Sequence, residues 1–414
     1  MAGVVRKSTV VAVLAGVLCL HIAVGAAIWS SSSGAETVWF HLGRWLTGVQ
    51  DSDSWKPIEA AYAEGDAHRP GIYDTVFFQQ RVKFQYPLTA VTLFGGLSRA
   101  SLNAVSWLAV AFTAILCAAL AGAAVRDATA ADGASPAVEL LTAIAVLSFY
   151  PVLKAYSLGQ VQTVVTLLAA AMLLAWQRKR PTLAGLALGA MLLIKPAAAP
   201  LLVWGALRGQ WRLIGGAVAV ALLGIAISAV TYPPGEQLGY LRVLAFIGAR
   251  GEVFRANQSV NGLLNRLVAS GGSLTWQADT FAEPSVMVRV GTAAGLVLLV
   301  GAALWLVPRP ARGGVADLSA MMLAATIGSP VAWEHHYGVL APILAATVPA
   351  MIAARPHRAL VGLVLAGAIL VSANFFQAAN RFDGTPLNPL QSYLFFSALV
   401  IEALLVRTSP PVAA

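Results

Sequence analysis

Charge is what this sequence has least of. Acidic and basic side chains make up 11% of its 414 residues, where a soluble globular chain carries about 25%, and that shortage excludes an ordinary soluble protein. Cysteine is scarce as well. Cys19 and Cys117 both lie inside apolar runs, which excludes a disulfide framework and a thiolate metal site. No segment recurs at a period of about 20–50 residues, so a solenoid is excluded. A two-half repeat of the kind many secondary transporters carry is also missing. The 27 Lys and Arg against 18 Asp and Glu leave a net charge of +9. No basic patch interleaved with aromatics accompanies that charge, so nucleic acid is not expected as a partner, and membrane topology accounts for the basic residues better.

What is present is apolar sequence. Hydrophobic residues are 58% of the chain and the mean hydropathy is +0.75, with apolar runs recurring from residue 8 to residue 407. The chain reads as an all-α polytopic membrane protein, one integral-membrane domain over residues 1–414. The run at 8–30 follows Arg6 and Lys7 and is long enough to cross a bilayer, so it reads as a retained first helix. Further spans are expected at 102–124, 138–152, 157–177, 214–232, 286–306, 315–330, 337–353, 360–375 and 392–407, about ten crossings in all. Two stretches do not fit ordinary spans: 87–98, and the pair 182–194 and 197–207 broken at Lys195-Pro196. These read as re-entrant or half-length hairpins.

Short loops set the orientation, because Lys and Arg are retained on the cytoplasmic side. Arg6 and Lys7, Arg178-Lys179-Arg180, Arg208 with Arg212, Arg309 with Arg312, Arg355 with Arg358, and Arg407 all fall on one side. The opposite side receives two long loops, 31–86 and 233–285, the apex near 329–336, and a loop at 376–391. Thirteen of the 18 acidic residues then face outward, seven of them in the first loop. Chemistry is therefore expected on the extracytoplasmic side of a cell membrane.

A first loop of this length is either functional or structured. The segment from Glu36 to Leu46 forms a short amphipathic helix in this reading, with Trp39 and Trp45 as interfacial anchors. Further on, Asp74 precedes Val76, Phe77 and Phe78, and reads either as a helix N-cap or as a partly desolvated carboxylate at the membrane face. Tyr86 precedes Pro87, which biases it toward extended backbone. His335 and His336 stand beside Glu334 at an apex between two apolar runs; adjacent helical residues diverge by about 100°, so one of the two is expected to point inward. Lys195 interrupts an apolar run and reaches either a ligand or the nearest interface. In the second loop, Asn257, Asn261 and Asn265 accompany Arg255 and Arg266. Asn261 and Asn265 share a helix face that suits sugar hydroxyls, or else line a solvated loop. Gln160 marks the outer end of another helix.

Taken in order, Tyr73-Asp74, Phe84-Gln-Tyr-Pro87, Leu158-Gly-Gln160, Lys195-Pro196, Asn257-Gln-Ser-Val-Asn-Gly-Leu-Leu-Asn265 and Ser329-Pro-Val-Ala-Trp-Glu-His-His-Tyr337 cover most of the chain. This set resembles the polyprenyl-phosphate-sugar-dependent integral-membrane glycosyltransferases of the GT-C class, and within it family 87, the group that includes mycobacterial α-mannosyltransferases. The resemblance implies a polyprenyl-phosphate sugar donor, a lipid-linked or glycan acceptor, and transfer without a cofactor. It also implies an Asp directly after the first helix, in a pattern like Asp-x-x-Val-Tyr, as catalytic base. Here the chain departs from the family: the nearest acid is Glu36, in Ala35-Glu-Thr-Val-Trp-Phe, with the spacing to Val38 one residue shorter. Either Glu36 replaces that Asp or the base is Asp74.

The chemistry is compatible. Transfer from a lipid phosphate needs one carboxylate to take the acceptor proton, and positive or hydrogen-bonding groups for the departing phosphate. Inversion requires only one such carboxylate, and no glycine-rich phosphate loop. Asp51-Ser-Asp53 has the letters of a metal motif but lies in a polar loop, and no metal is expected there. The competing readings are a lipid or solute transporter and a catalytically inactive polyprenyl-lipid-binding member. Polar clusters at one face, with only Glu139, Asp317 and Glu402 among the spans, favour the enzyme over the transporter.

Overall fold

A computed structural model describes residues 7–31, 36–66, 71–129, 135–269, 271–354 and 358–408. Arg6 and Arg355, two of the residues that set the charge bias, lie outside the described residues. Among those described the chain is all-helical, apart from one isolated antiparallel bridge between Asn257 and Trp333.

Among the described residues six helices are long and apolar enough to cross a membrane: Lys7–Ser31, Arg99–Thr129, Trp211–Thr231, Val286–Trp305, Glu334–Ala353 and Asn388–Arg407. The number rises to eight if each of two bent pairs, Pro136–Val146 with Tyr150–Ser157 and Leu360–Ser372 with Phe376–Phe382, is one span. The expected ten are not confirmed by helix length, and the reason is local. Gly159, at φ 66°, separates residue 157 from the helix Gln162–Gln177, whose 16 residues reach only about 24 Å against a core of about 30 Å. The run at 315–330 is likewise a 13-residue helix, Val315–Ile327, stopped before Gly328-Ser-Pro330.

The stretch 87–98 holds a single short helix, Leu88–Phe94. The broken run near Lys195 forms two short helices, Pro181–Ile194 and Pro200–Leu207, whose junction is Lys195. Pro181–Ile194 is held against Trp211–Thr231 by close backbone approach: a Cβ on Gly185 would stand 2.1 Å from the Leu213 carbonyl oxygen, and one on Gly216 2.7 Å from that of Thr182. Small residues at four-residue spacing permit such contact between apolar helices.

These short helices run between the cavity and a basic end in alternating directions. Gln162–Gln177 begins at a central cavity and ends at Arg178-Lys179-Arg180; Pro181–Ile194 leaves from there and returns to the cavity at Lys195. Pro200–Leu207 then runs away to Arg208, whose Nε lies 2.8 Å from Asp317 Oδ2. Arg126 meets Glu139 at 3.7 Å. The bundle thus has a basic end and a cavity end, and the buried Glu402 has no hydrogen-bond partner for either carboxylate oxygen among the described residues.

Candidate active site

The cavity has a volume of about 620 Å³. Its most informative wall is built from two segments more than a hundred residues apart. Gly159 takes a left-handed backbone that side-chain-bearing residues avoid, and a Cβ there would stand 2.1 Å from the Asp51 carbonyl oxygen. That approach lets residues 51–54 lie against 157–161: Asp51 N–H donates to Ser157 O at 2.8 Å, Asp53 N–H to Leu158 O at 2.8 Å, and Ser54 N–H to Gly159 O at 3.2 Å. Gln160 Nε2 then donates to Asp53 Oδ2 at 2.5 Å. Ser54 Oγ meets Gln160 Oε1 and Tyr86 Oη, each at 2.6 Å, and accepts from Val161 N–H at 3.1 Å. Two motifs of the sequence, Leu158-Gly-Gln160 and Phe84-Gln-Tyr-Pro87, therefore converge on Asp53, which the sequence reading had set aside.

Asp53 opens onto the cavity, and desolvation there raises its pKa above the ordinary aspartate value, against the hydrogen bond from Gln160 and the charges of Lys154 and Lys195. It has no ion-pair partner among the described residues. Asp51 turns elsewhere, into a pair with Arg44 at 2.9 Å. No group of three or more His, Cys, Asp or Glu suited to a metal ion occurs among the described residues.

Glu36 also borders the cavity, but it is neutralised. Its carboxylate lies 3.2 Å from Lys154 Nζ and 3.7 Å from Arg255, and Glu334 shares the same lysine at 3.7 Å. Glu36 sits at φ 60°, a costly conformation for a non-glycine residue. Asn374, whose Nδ2 donates to the Glu36 carbonyl at 2.7 Å, helps to hold it.

Lys195 has the opposite situation. At the junction of its two helices it donates to two neutral acceptors, Gln162 Oε1 at 2.9 Å and His336 Nε2 at 2.7 Å, and no carboxylate pairs with it among the described residues. With Lys195 donating, the His336 proton sits on Nδ1. His335 and His336 both border the cavity, their rings 4.8 Å apart and nearly perpendicular. The expectation that one alone would point inward fails because Glu334–Val339 is a tight 3-10 turn at the cavity wall rather than a regular α-helix. His335 Nε2 is buried without a hydrogen-bond partner.

Other residues singled out in the sequence stand elsewhere. Asp74 opens a π-helical segment, Asp74–Gln79, whose N-cap position is Tyr73, and its carboxylate pairs with Arg242 at 2.8 Å on the exterior. Asn257, Asn261, Asn265 and Arg266 do not line the cavity. Asn257 bonds the Glu252 carbonyl and accepts from Ala332 N–H; Asn261 meets Glu252 N–H and Thr292; Asn265 donates to Arg250 O and Asn261. Arg266 donates to Asn257 O at 2.9 Å and Ser392 Oγ at 2.6 Å. This network seats the second loop on residues 330–334, where Gln258 N–H donates to Ala332 O and Glu334 N–H to Ala256 O.

Lys83 is a further cavity residue that the sequence reading did not single out. It pairs with Glu252 at 2.5 Å, joining the first loop to the second. Burial raises Glu252 and lowers Lys83, each against the pull of its partner. Its Lys-Phe-Gln-Tyr-Pro context was the available signal.

In chemical terms the cavity holds one unpaired carboxylate, one cation bonded only to neutral groups, and a ring of mutually compensated charges. The model of glycosyltransferase family 87 matches residues 84–333. No curated protein matches the chain.

Proposed function

The chain belongs to glycosyltransferase family 87, and from that premise we propose that it transfers a hexose or pentose from a polyprenyl-phosphate donor to a lipid-linked or glycan acceptor, with inversion, in the cavity between its outer loops. The observation that carries this reading is the arrangement of charge in one cavity: among the described residues neither Asp53 nor Lys195 has an ion-pair partner in contact, and each bonds only neutral groups, while Asp53 feels the charge of Lys195 across the cavity. A carboxylate that faces the cavity with no cation in contact is suited to accept a proton from an acceptor hydroxyl. An unpaired ammonium with a histidine beside it is suited to a phosphate.

The reaction then runs as a single displacement. The acceptor hydroxyl forms a bond to the anomeric carbon and passes its proton to Asp53 as the bond to the lipid phosphate oxygen breaks. Lys195 and His336 stabilise the negative charge on the departing polyprenyl phosphate. Glu36, paired with Lys154 and Arg255, orders the cationic wall. Asp74, paired to Arg242 outside the cavity, has no part in the step.

Incubating membranes that contain the protein with radiolabelled polyprenyl-phosphate sugars tests the donor. Label appearing in a lipid-linked or glycan product, and lost in Asp53→Asn, is the expected result; transfer from nucleotide sugars alone would overturn the donor assignment. The arginine and lysine bias supports an extracytoplasmic site. In a background lacking Cys19 and Cys117, an impermeant thiol reagent should label Ser52→Cys from outside and spare Gly313→Cys, and the reverse pattern refutes that side.

A further inference from the structure

The cavity wall contributed by the second loop and the apex at 329–336 differs in kind from the one that holds Asp53 and Lys195. Phe254, Trp276 and Trp333 meet there and all border the cavity. The two indoles stand edge to face with centroids 5.1 Å apart at 79°, and Phe254 lies 5.8 Å from Trp276 and 6.2 Å from Trp333. Trp276 keeps 38% of its surface exposed, although it lies in a loop segment that packs against the rest of the site.

Several contacts brace the corner. The Lys83 ammonium lies 3.8 Å from the Trp276 ring centroid and is itself fixed by Glu252 at 2.5 Å. Trp333 is fixed through its backbone, in the bridge to Asn257. Donors surround these rings. Neither indole N–H has a hydrogen-bond partner among the described residues, and Arg255 Nε is buried without one. Lys83 and Asp53 border the same cavity as the three rings, which puts the corner and the candidate base in one enclosure.

A ligand that satisfies both features needs an apolar face for the aromatic rings and a rim of acceptor oxygens for the donors. An isoprenoid chain would cover the rings and leave the donors unmet; a phosphate would meet the donors and leave the rings exposed. A pyranose does both, with C–H groups on one face and hydroxyls at its edge. We propose that Phe254, Trp276 and Trp333 form the acceptor subsite, and that it takes a pyranose ring stacked against Trp276 with its hydroxyls toward the indole N–H groups and Arg255. This deepens the glycosyltransferase reading and rests on it: the acceptor ends in a six-membered sugar, presented from the loop side while the lipid phosphate lies at Lys195.

Tryptophan fluorescence of the purified full-length protein, titrated with methyl pyranosides of mannose, glucose and galactose in the absence of donor, tests it. The expected result is a saturable change with at least one of them in the wild-type protein, absent from glycerol. In Trp276→Ala the midpoint should weaken by about tenfold or more, and Trp276→Phe should recover part of the loss by restoring a ring. No saturable change with any pyranoside, an equal change with glycerol, or an unaltered midpoint in Trp276→Ala would each overturn the subsite. Should Trp276→Ala not yield folded protein, the same comparison is made with Trp276→Phe, where an unaltered midpoint is the overturning result. Since no donor is present, failure of the polyprenyl-phosphate assignment would appear only in the transfer assay and leave this titration intact.

Discussion

The two long loops, 31–86 and 233–285, both carry polar sequence and use it in opposite ways. In the first, residues 51–54 are pinned by their backbone to Ser157, Leu158 and Gly159, which leaves the Asp53 carboxylate facing the cavity with one amide as partner. In the second, Asn257, Asn261, Asn265 and Arg266 bond the loop's own backbone and the turn before Glu334. A polar side chain is available to a substrate only where the fold leaves it unsatisfied by protein. Buried polar groups that are already paired hold shape instead.

The largest effect expected from breaking this contrast is at Asp53. Asp53→Asn should lower turnover roughly 10²–10⁴-fold in the radiolabel transfer assay while donor binding persists, and Asp74→Asn should retain wild-type rates. The opposite pair of results would move the base out of the cavity. Next comes Lys195→Met, which removes the cation that has no anionic partner. Its turnover should fall about 10²–10³-fold, the range for losing one stabilising donor at a developing oxyanion; wild-type initial rates would remove the lysine from the phosphate.

Arg266→Met sharpens the other side of the comparison. It orphans Ser392 and the Asn257 carbonyl, at about 1–3 kcal/mol for each buried group left unsatisfied, and should lower the thermal midpoint in detergent with turnover per folded molecule preserved. Lost turnover in a fully stable protein would mean that the second loop touches substrate through this arginine. The smallest effect is a shift in pH dependence. Asp53 must be ionised to accept a proton, so activity falls as pH drops through its pKa. That pKa is raised by burial and lowered by the Gln160 hydrogen bond. Gln160→Leu removes the lowering contribution, and the acid limb of the rate profile should move to higher pH; an unmoved limb would take Asp53 out of the proton transfer.

Much of the cavity was legible in residue types. Tyr86, Gln160, Lys195, Arg255, Glu334, His335, His336 and Glu36 were singled out as polar or ionisable groups among apolar runs, and all of them border it. Asp53 was not, because a polar loop with two aspartates has the composition of a solvated turn. The feature that makes it special is a hydrogen bond from a residue 107 positions away. For Asn261 and Asn265 the helical spacing was read correctly, as the helix Val260–Val268 shows, but spacing along a helix says nothing about which neighbour occupies the amides. The count of ten spans is not confirmed for a related reason: hydropathy does not register where Gly159 or Gly328-Ser-Pro330 stops a helix short.

Composition and hydropathy alone determined that this chain is helical and membrane-embedded, since too few charges exist to cover a soluble surface and isolated helices satisfy their own backbone in lipid. The ordered motifs alone pointed to the glycosyltransferase family. Which carboxylate stands free was decided only in three dimensions. Pairing depends on distance: Lys154 and Arg255 lie within 4 Å of Glu36, and Arg242 lies 2.8 Å from Asp74, whereas Asp53 receives only an amide. Those distances arise from a backbone approach at Gly159 and a helix junction at Lys195 that bring together residues widely separated in the chain.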